Sequence, residues 1–173
     1  LFAYFQPFHN EIGLLEKLAG VPFIEWSKAN EFVQDVSFPA NMLYAAALDA
    51  AGRLYGMAHL SRQAQSIREQ VLRLSFDGEF FVDNAVREAG ALKVTCHRTE
   101  ICQYFAFYFD LASPLSHPEL WRTLRDEFGP CRRSTNRHPR IHHTNTFVGE
   151  VLRLELLSRY GHGRQLLAES KDY

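Results

Sequence analysis

The chain of 173 residues has no long apolar run: nothing in it approaches the roughly 20 consecutive apolar residues that a membrane span needs, and no signal-peptide pattern opens it. It has almost no net charge. The 19 Lys and Arg stand against 20 Asp and Glu, which removes the global electrostatic reason to expect nucleic acid or an anionic membrane as partner. It has no Gly-rich phosphate loop and no Gly-x-Ser-x-Gly nucleophile elbow. Cysteine is scarce: Cys96, Cys102 and Cys131 cannot all pair within the chain, and Cys96-x5-Cys102 is not a common zinc-ligand spacing. They read as buried free thiols, since unpaired Cys is among the most buried residue types. No metal and no cofactor is implied. The first residue is Leu1 rather than Met, so a preceding segment is expected to have been removed or left out.

What is present is the material of a packed core. Hydrophobic residues make up 46% and aromatic residues 13%, outside the disordered class, and the length suits one domain. The stretch from Ile24 to Tyr44 organises the rest. A polar loop carries Trp26 among Glu25, Lys28, Asn30, Glu31 and Asp35 and feeds an almost wholly apolar helix over 41–55, with Pro39 suited to the first turn. A loop delivered by a buried helix is how a rigid scaffold presents a binding surface. The plainer reading is a solvated loop with one half-buried Trp.

Taken in order, residues 9–19 read as a short helix ended by Gly20. The helix over 41–55 is apolar on nearly every side, the mark of a buried helix, and Gly56 stops it. Over 59–75, Leu60, Ala64, Ile67, Val71 and Leu74 form one stripe on an otherwise polar helix, which places it outside. Asp77-Gly78 makes a turn, and 79–85 with 92–95, joined around Gly90, reads as a β-hairpin. A second buried helix spans 99–111 with Thr99 as N-cap. A second amphipathic helix starts at Ser116, where Ser116-x-x-Glu119 reads as a capping box and Leu115 with Leu120 as a hydrophobic staple. After a loop over 129–143 comes a third apolar helix, 144–160, ended by Gly161, and a last helix from Arg164.

Buried helix followed by exposed helix thus occurs three times, with short connections in one direction and long ones (21–40, 76–98, 129–143) in the other. In antiparallel hairpins the long connections gather at one end, here the N-terminal ends of the inner helices. The predicted fold is all-α: part of an (α/α)6 toroid of about three helical hairpins, with a small β-hairpin near 79–95 and a functional face built from long loops. Three hairpins leave an arc open, so the whole of 1–173 is expected to be a fragment of a larger catalytic domain. On this pattern Leu43, Ala47, Ile101, Phe105, Val151 and Leu154 should be buried, and Arg68, Glu69 and Arg125 exposed.

Several segments, in this order, resemble one family: Glu25-Trp26-Ser27; Gln34-Asp35-Val36 with Asn41-Met42-Leu43-Tyr44-Ala45; Asp77-Gly78-Glu79-Phe80-Phe81-Val82-Asp83; Thr99-Glu100-Ile101-Cys102-Gln103-Tyr104; and Leu152-Arg153-Leu154-Glu155-Leu156-Leu157. They are similar to the catalytic domain of bacterial α-L-rhamnosidases, six-hairpin glycosidases with an (α/α)6 barrel. The resemblance implies hydrolysis of terminal α-L-rhamnosides of plant or microbial glycans with inversion, by one carboxylic acid and one carboxylate activating water. In the family the acid lies before the matched stretch and the base after it, near a Trp-Glu pair. No residue here inherits either role, so the catalytic residues are unknown and the chain alone is expected to be inactive. Trp26 matches the family's sugar-contacting position, as suits an indole packed on the apolar face of a pyranose, and Glu25 beside it can accept hydroxyl hydrogen bonds.

The candidate substrate-binding set is therefore Trp26, Glu25, Asp35, Glu100 and Gln103, with no metal ligand. Glu100 and Gln103, at the start of an inner helix, also suit capping and internal hydrogen bonding. The Asp77-Gly78 turn accounts for Asp77. Arg132, Arg133, Arg137, His138, Arg140, His142 and His143 form a basic loop. Pro139 argues against a helical His138-x3-His142 zinc pair there, so the loop reads as a solvated rim. The expected partners are a carbohydrate substrate and the remainder of the barrel with its accessory domains, without nucleic acid or membrane. The alternative function is a non-catalytic helical-repeat module that binds a glycan or protein partner.

Overall fold

The computed structural model describes residues 2–20, 22–130, 132–145 and 147–171. Cys131 lies outside them. The fold is predominantly helical, with a small antiparallel sheet. Its centre is α3 (Glu100–Tyr108), in which every residue from Glu100 to Phe107 is buried. Thr99 caps it as expected, its hydroxyl accepting from the Cys102 N–H at 3.3 Å. Helix α3 packs between α1 (Phe38–Tyr55) and α6 (Val148–Arg159). Each buried Phe or Leu on this surface contributes about 1.5–3 kcal/mol by leaving water.

Helix α1 starts three residues before its apolar run, because Ser37 caps it and Pro39 fits the first turn, where its missing N–H has no partner to lose. Gly56, at φ +66°, ends it in the left-handed conformation. The chain then returns as α2 (Ala58–Ser75), whose stripe Leu60, Ala64, Ile67 and Val71 is buried against α1. The two helices touch at Gly52, where a Cβ would lie 2.5 Å from the Ser61 hydroxyl. The hairpin is smaller than the pattern suggests: β2 (Asn84–Glu88) and β3 (Ala91–Val94) turn at Gly90, and residues 79–83 are not strand. A third strand that the sequence reading missed, β1 (Val36–Ser37), pairs with β2 and ties the start of α1 to the loop after α2. The outer helices are α4 (Pro118–Glu127), which buries Leu120, Trp121 and Leu124, and α7 (Gly163–Glu169), which packs on α6; a short α5 (Arg132–Thr135) interrupts the long loop between α4 and α6.

Several expectations fail for identifiable reasons. Residues 9–19 form no helix. The Asn10 side chain accepts from the Ile12 and Leu14 N–H groups, a turn that competes with helix, and Gly13 and Lys17 take positive φ. The capping box at Ser116 does not form. Ser116 accepts from the Ser113 N–H at 3.0 Å, Glu119 pairs with Arg122, and Leu115 is 95% exposed, so it staples nothing. Cys102 is buried but Cys96 is exposed. Helix α6 begins at Val148 rather than 144. Ile101 and Phe105 are buried and Glu69 is exposed, but Leu43, Ala47 and Val151 are exposed and Leu154 is only partly covered. A helix that is apolar all round carries no mark of which side packs, and α1 and α6 each bury one side only. Arg68 is drawn down to Asp49 at 3.6 Å and Arg125 to Asp126 at 2.6 Å, so both are half-buried.

Candidate functional site

The long connections meet at the N-terminal ends of α3 and α6. In the loop that precedes α1, Ser27 accepts from the Ala29 N–H, while Asn30 accepts from the Ile24 N–H at 2.8 Å and donates to the Glu25 carbonyl. This pins two neighbouring residues to opposite sides: Glu25 is fully buried and Trp26 is 63% exposed. The indole therefore does not plug the core.

Beneath the surface, the segment 142–145 threads between that loop and α3. The Thr144 hydroxyl donates to Glu25 Oε2 at 2.7 Å, and the Asn145 N–H donates to Glu25 Oε1 at 3.2 Å. The Thr144 N–H donates to Glu100 Oε2 at 3.4 Å, so Thr144 bridges two buried carboxylates. Burial pushes the Glu25 carboxyl above its ordinary range, against the hydrogen bonds that favour its charge. The approach of Thr144 to α6 requires the absent side chain of Gly149: a Cβ there would lie 1.5 Å from the Thr144 hydroxyl.

Glu100 has a second set of partners. Tyr104 donates to Oε1 at 2.5 Å and Arg132 to Oε2 at 2.6 Å. Arg132 belongs to the basic loop that reads as a solvated rim, yet its side chain is wholly buried. A buried guanidinium needs every donor satisfied, and this one donates to the carbonyls of Arg137, His138 and Ile141 and lies 4.4 Å over the Phe128 ring. It also approaches His143 Nδ1 at 3.3 Å. A guanidinium only donates, so Nδ1 is the acceptor and the His143 proton sits on Nε2; burial, then Arg132, holds that imidazole below its ordinary pKa. The rim expectation holds for Arg133, Arg137, Arg140 and His142, which are exposed.

Above these buried groups lies an exposed aromatic cluster. Trp26 meets Phe23 edge-on at 4.8 Å and Phe147 edge-on at 5.8 Å, and Phe23 and Phe147 are 53% and 71% exposed. Asn145 links the two sides, donating to the Trp26 carbonyl at 3.1 Å and accepting from the Phe147 N–H at 2.8 Å.

Of the sequence-derived residues, Glu25, Trp26 and Glu100 are thus brought together through Thr144 and Asn145. Asp35 and Gln103 are engaged with backbone instead. Asp35, at φ +48°, accepts from the Arg87 N–H at 2.7 Å and fixes the loop to β2. Gln103 accepts from the Phe81 N–H and donates to the Phe81 carbonyl, both at 2.8 Å, and clamps the segment after α2 along α3. Close by, Asp83 is fully buried and accepts from the Thr99 N–H and hydroxyl, both at 2.6 Å, and burial raises its pKa to about 7. Among the described residues, no group of three His, Cys, Asp or Glu side chains could hold a metal ion.

No family model, no curated protein and no solved structure matches the chain.

Sequence reasoning missed Phe23, Phe147 and Arg132. Phe147 was assigned to the interior of an inner helix, although it is the residue just ahead of α6. Nothing in the sequence distinguished Arg132 from its exposed neighbours. Chemically, the arrangement offers flat apolar faces beside amide and carboxylate groups, held over a network that fixes the loops.

Proposed function

We propose that the Phe23–Trp26–Phe147 face binds a pyranoside, and that the chain is part of a glycoside hydrolase resembling inverting α-L-rhamnosidases. On this reading the hairpins belong to an (α/α)6 toroid, terminal rhamnosides are the substrate, and the acid and base are supplied by the remainder of the barrel. The observation that carries it is the exposure of three large aromatic rings, Phe23 and Phe147 each meeting Trp26, close to the N-terminal end of α6. Contiguous exposed apolar surface marks a binding site, and an indole suits the C–H face of a sugar. The order of the family-like segments along the chain adds support.

A second reading has its own observation. Leu43 and Val151 are exposed on α1 and α6, which suits a protein neighbour and a helical module without chemistry. The substitution Trp26→Ala separates the two. Stacking on the indole is worth about 1–2 kcal/mol by area, so Trp26→Ala weakens binding of methyl α-L-rhamnoside about ten- to thirtyfold and leaves the melting temperature unchanged. A parent chain without affinity for the glycoside overturns the sugar reading and leaves the protein-binding one.

A further inference from the structure

Glu150 lies in the first turn of α6, three residues after Phe147. Residues three apart share a helix face, so Glu150 follows the ring that meets Trp26 at 5.8 Å. It is half-buried, and its carboxylate has no hydrogen bond or ion pair among the described residues. Burial and then the charges of Arg133, Glu100 and Glu25 act on it, so it lies within electrostatic range of the same buried acids. Those two acids are already occupied. Both Glu25 oxygens accept from Thr144 and Asn145, and both Glu100 oxygens accept from Tyr104, Arg132 and Thr144. Of the three, Glu150 alone is reached by solvent and has no side-chain partner among the described residues.

We propose that Glu150 is the carboxylate that accepts hydroxyl hydrogen bonds from a pyranoside stacked on the Trp26–Phe147 face, the role that the sequence reading gave to Glu25. The inference rests on the sugar-binding reading above. A pyranoside has an apolar C–H face and a rim of hydroxyl donors. The rings take the face, and one carboxylate accepts two neighbouring hydroxyls through its two oxygens. The first turn of α6 suits that charge, because unpaired helix N–H groups there favour an anion. Glu25, held below the surface by Thr144, then serves to fix the loop.

The test is a titration of the ¹⁵N-labelled 173-residue chain with methyl α-L-rhamnoside, read at the Trp26 indole N–H, for the parent, Glu150→Gln and Glu25→Gln. The parent indole resonance is expected to shift. Glu150→Gln should weaken affinity about tenfold or more, as for a lost charge-assisted hydrogen bond, with an unchanged melting temperature. Glu25→Gln should lower the melting temperature and keep the affinity of the folded fraction. An unchanged affinity in Glu150→Gln, with the parent indole still shifting, overturns the assignment of Glu150 and leaves the sugar site standing. A parent indole that does not respond overturns both.

Discussion

Gly149→Ala places a methyl group where the structure has no room. The added Cβ would sit 1.5 Å from the Thr144 hydroxyl oxygen and 2.5 Å from the Thr144 Cβ, so Thr144 must move away. Its hydroxyl then leaves Glu25 Oε2, 2.7 Å away, and the buried carboxyl loses one of the few donors that hold it, the Asn145 N–H at 3.2 Å remaining. A buried polar group left without its partner costs about 1–3 kcal/mol, and the forced shift adds about 1–3 kcal/mol of overpacking. Ala returns about 1 kcal/mol of helix propensity relative to Gly. The net loss is about 3 kcal/mol, or roughly 6–12 °C of melting temperature for a domain of this size. Circular dichroism melts and urea unfolding with an unchanged m-value measure it. In a Thr144→Gly background the obstructing side chain is gone, so the same Gly149→Ala change should become neutral or mildly stabilising, and the double-mutant cycle should show strong coupling. A Gly149→Ala variant that melts at or above the parent would refute the packing of Thr144 between Glu25 and α6.

Three further outcomes follow from the network. Arg132→Met leaves Glu100 buried without its cation and frees three loop carbonyls, and should cost about 3–5 kcal/mol in urea unfolding; a loss under 1 kcal/mol would mean that the loop holds itself. Asp83 keeps a proton in the folded state that the unfolded chain releases above its ordinary pKa of 3.8, so its contribution to stability falls as pH rises from there to about 7. In Asp83→Asn the slope of stability against pH across that window should flatten, and an unchanged slope would show that Asp83 does not titrate there. Leu115→Ser should change stability by no more than about 0.5 kcal/mol, since a 95% exposed side chain packs on nothing; a larger loss in thermal melting would restore the staple.

The parts of the fold that were legible are those where one local signal acts alone. Thr99, Pro39, Gly56 and Gly161 marked helix ends by their own backbone chemistry, and the stripe of α2 showed which side packs. Where two signals compete, the sequence misled. Asn10 can start a helix or close a turn, and Ser116 can cap a helix or bond its own loop; the winner depends on neighbours such as Leu14 and Ser113. Leu43 and Val151 were assigned to the interior because α1 and α6 lack a polar side to orient them. At the site, Trp26 was found because a lone indole in a polar loop is conspicuous. Arg132 was hidden among similar residues, since its burial comes from carbonyls that only the folded loop presents to it. Glu25 was found for a surface role, but its two oxygens are committed to residues 119 and 120 positions away in the chain, which no local pattern reveals.

The most direct test of the sugar-binding claim uses the two tryptophans as site and control. Trp26 is 63% exposed in the aromatic cluster, and Trp121, on the buried side of α4, is 7% exposed. In a titration with methyl α-L-rhamnoside to about 100 mM, enough to saturate a site of millimolar affinity, the Trp26 indole resonance should shift along a saturating curve while Trp121 stays still. If the Trp26 resonance stays where it is, or both move together in simple proportion to the glycoside added, the exposed aromatic face does not bind the sugar.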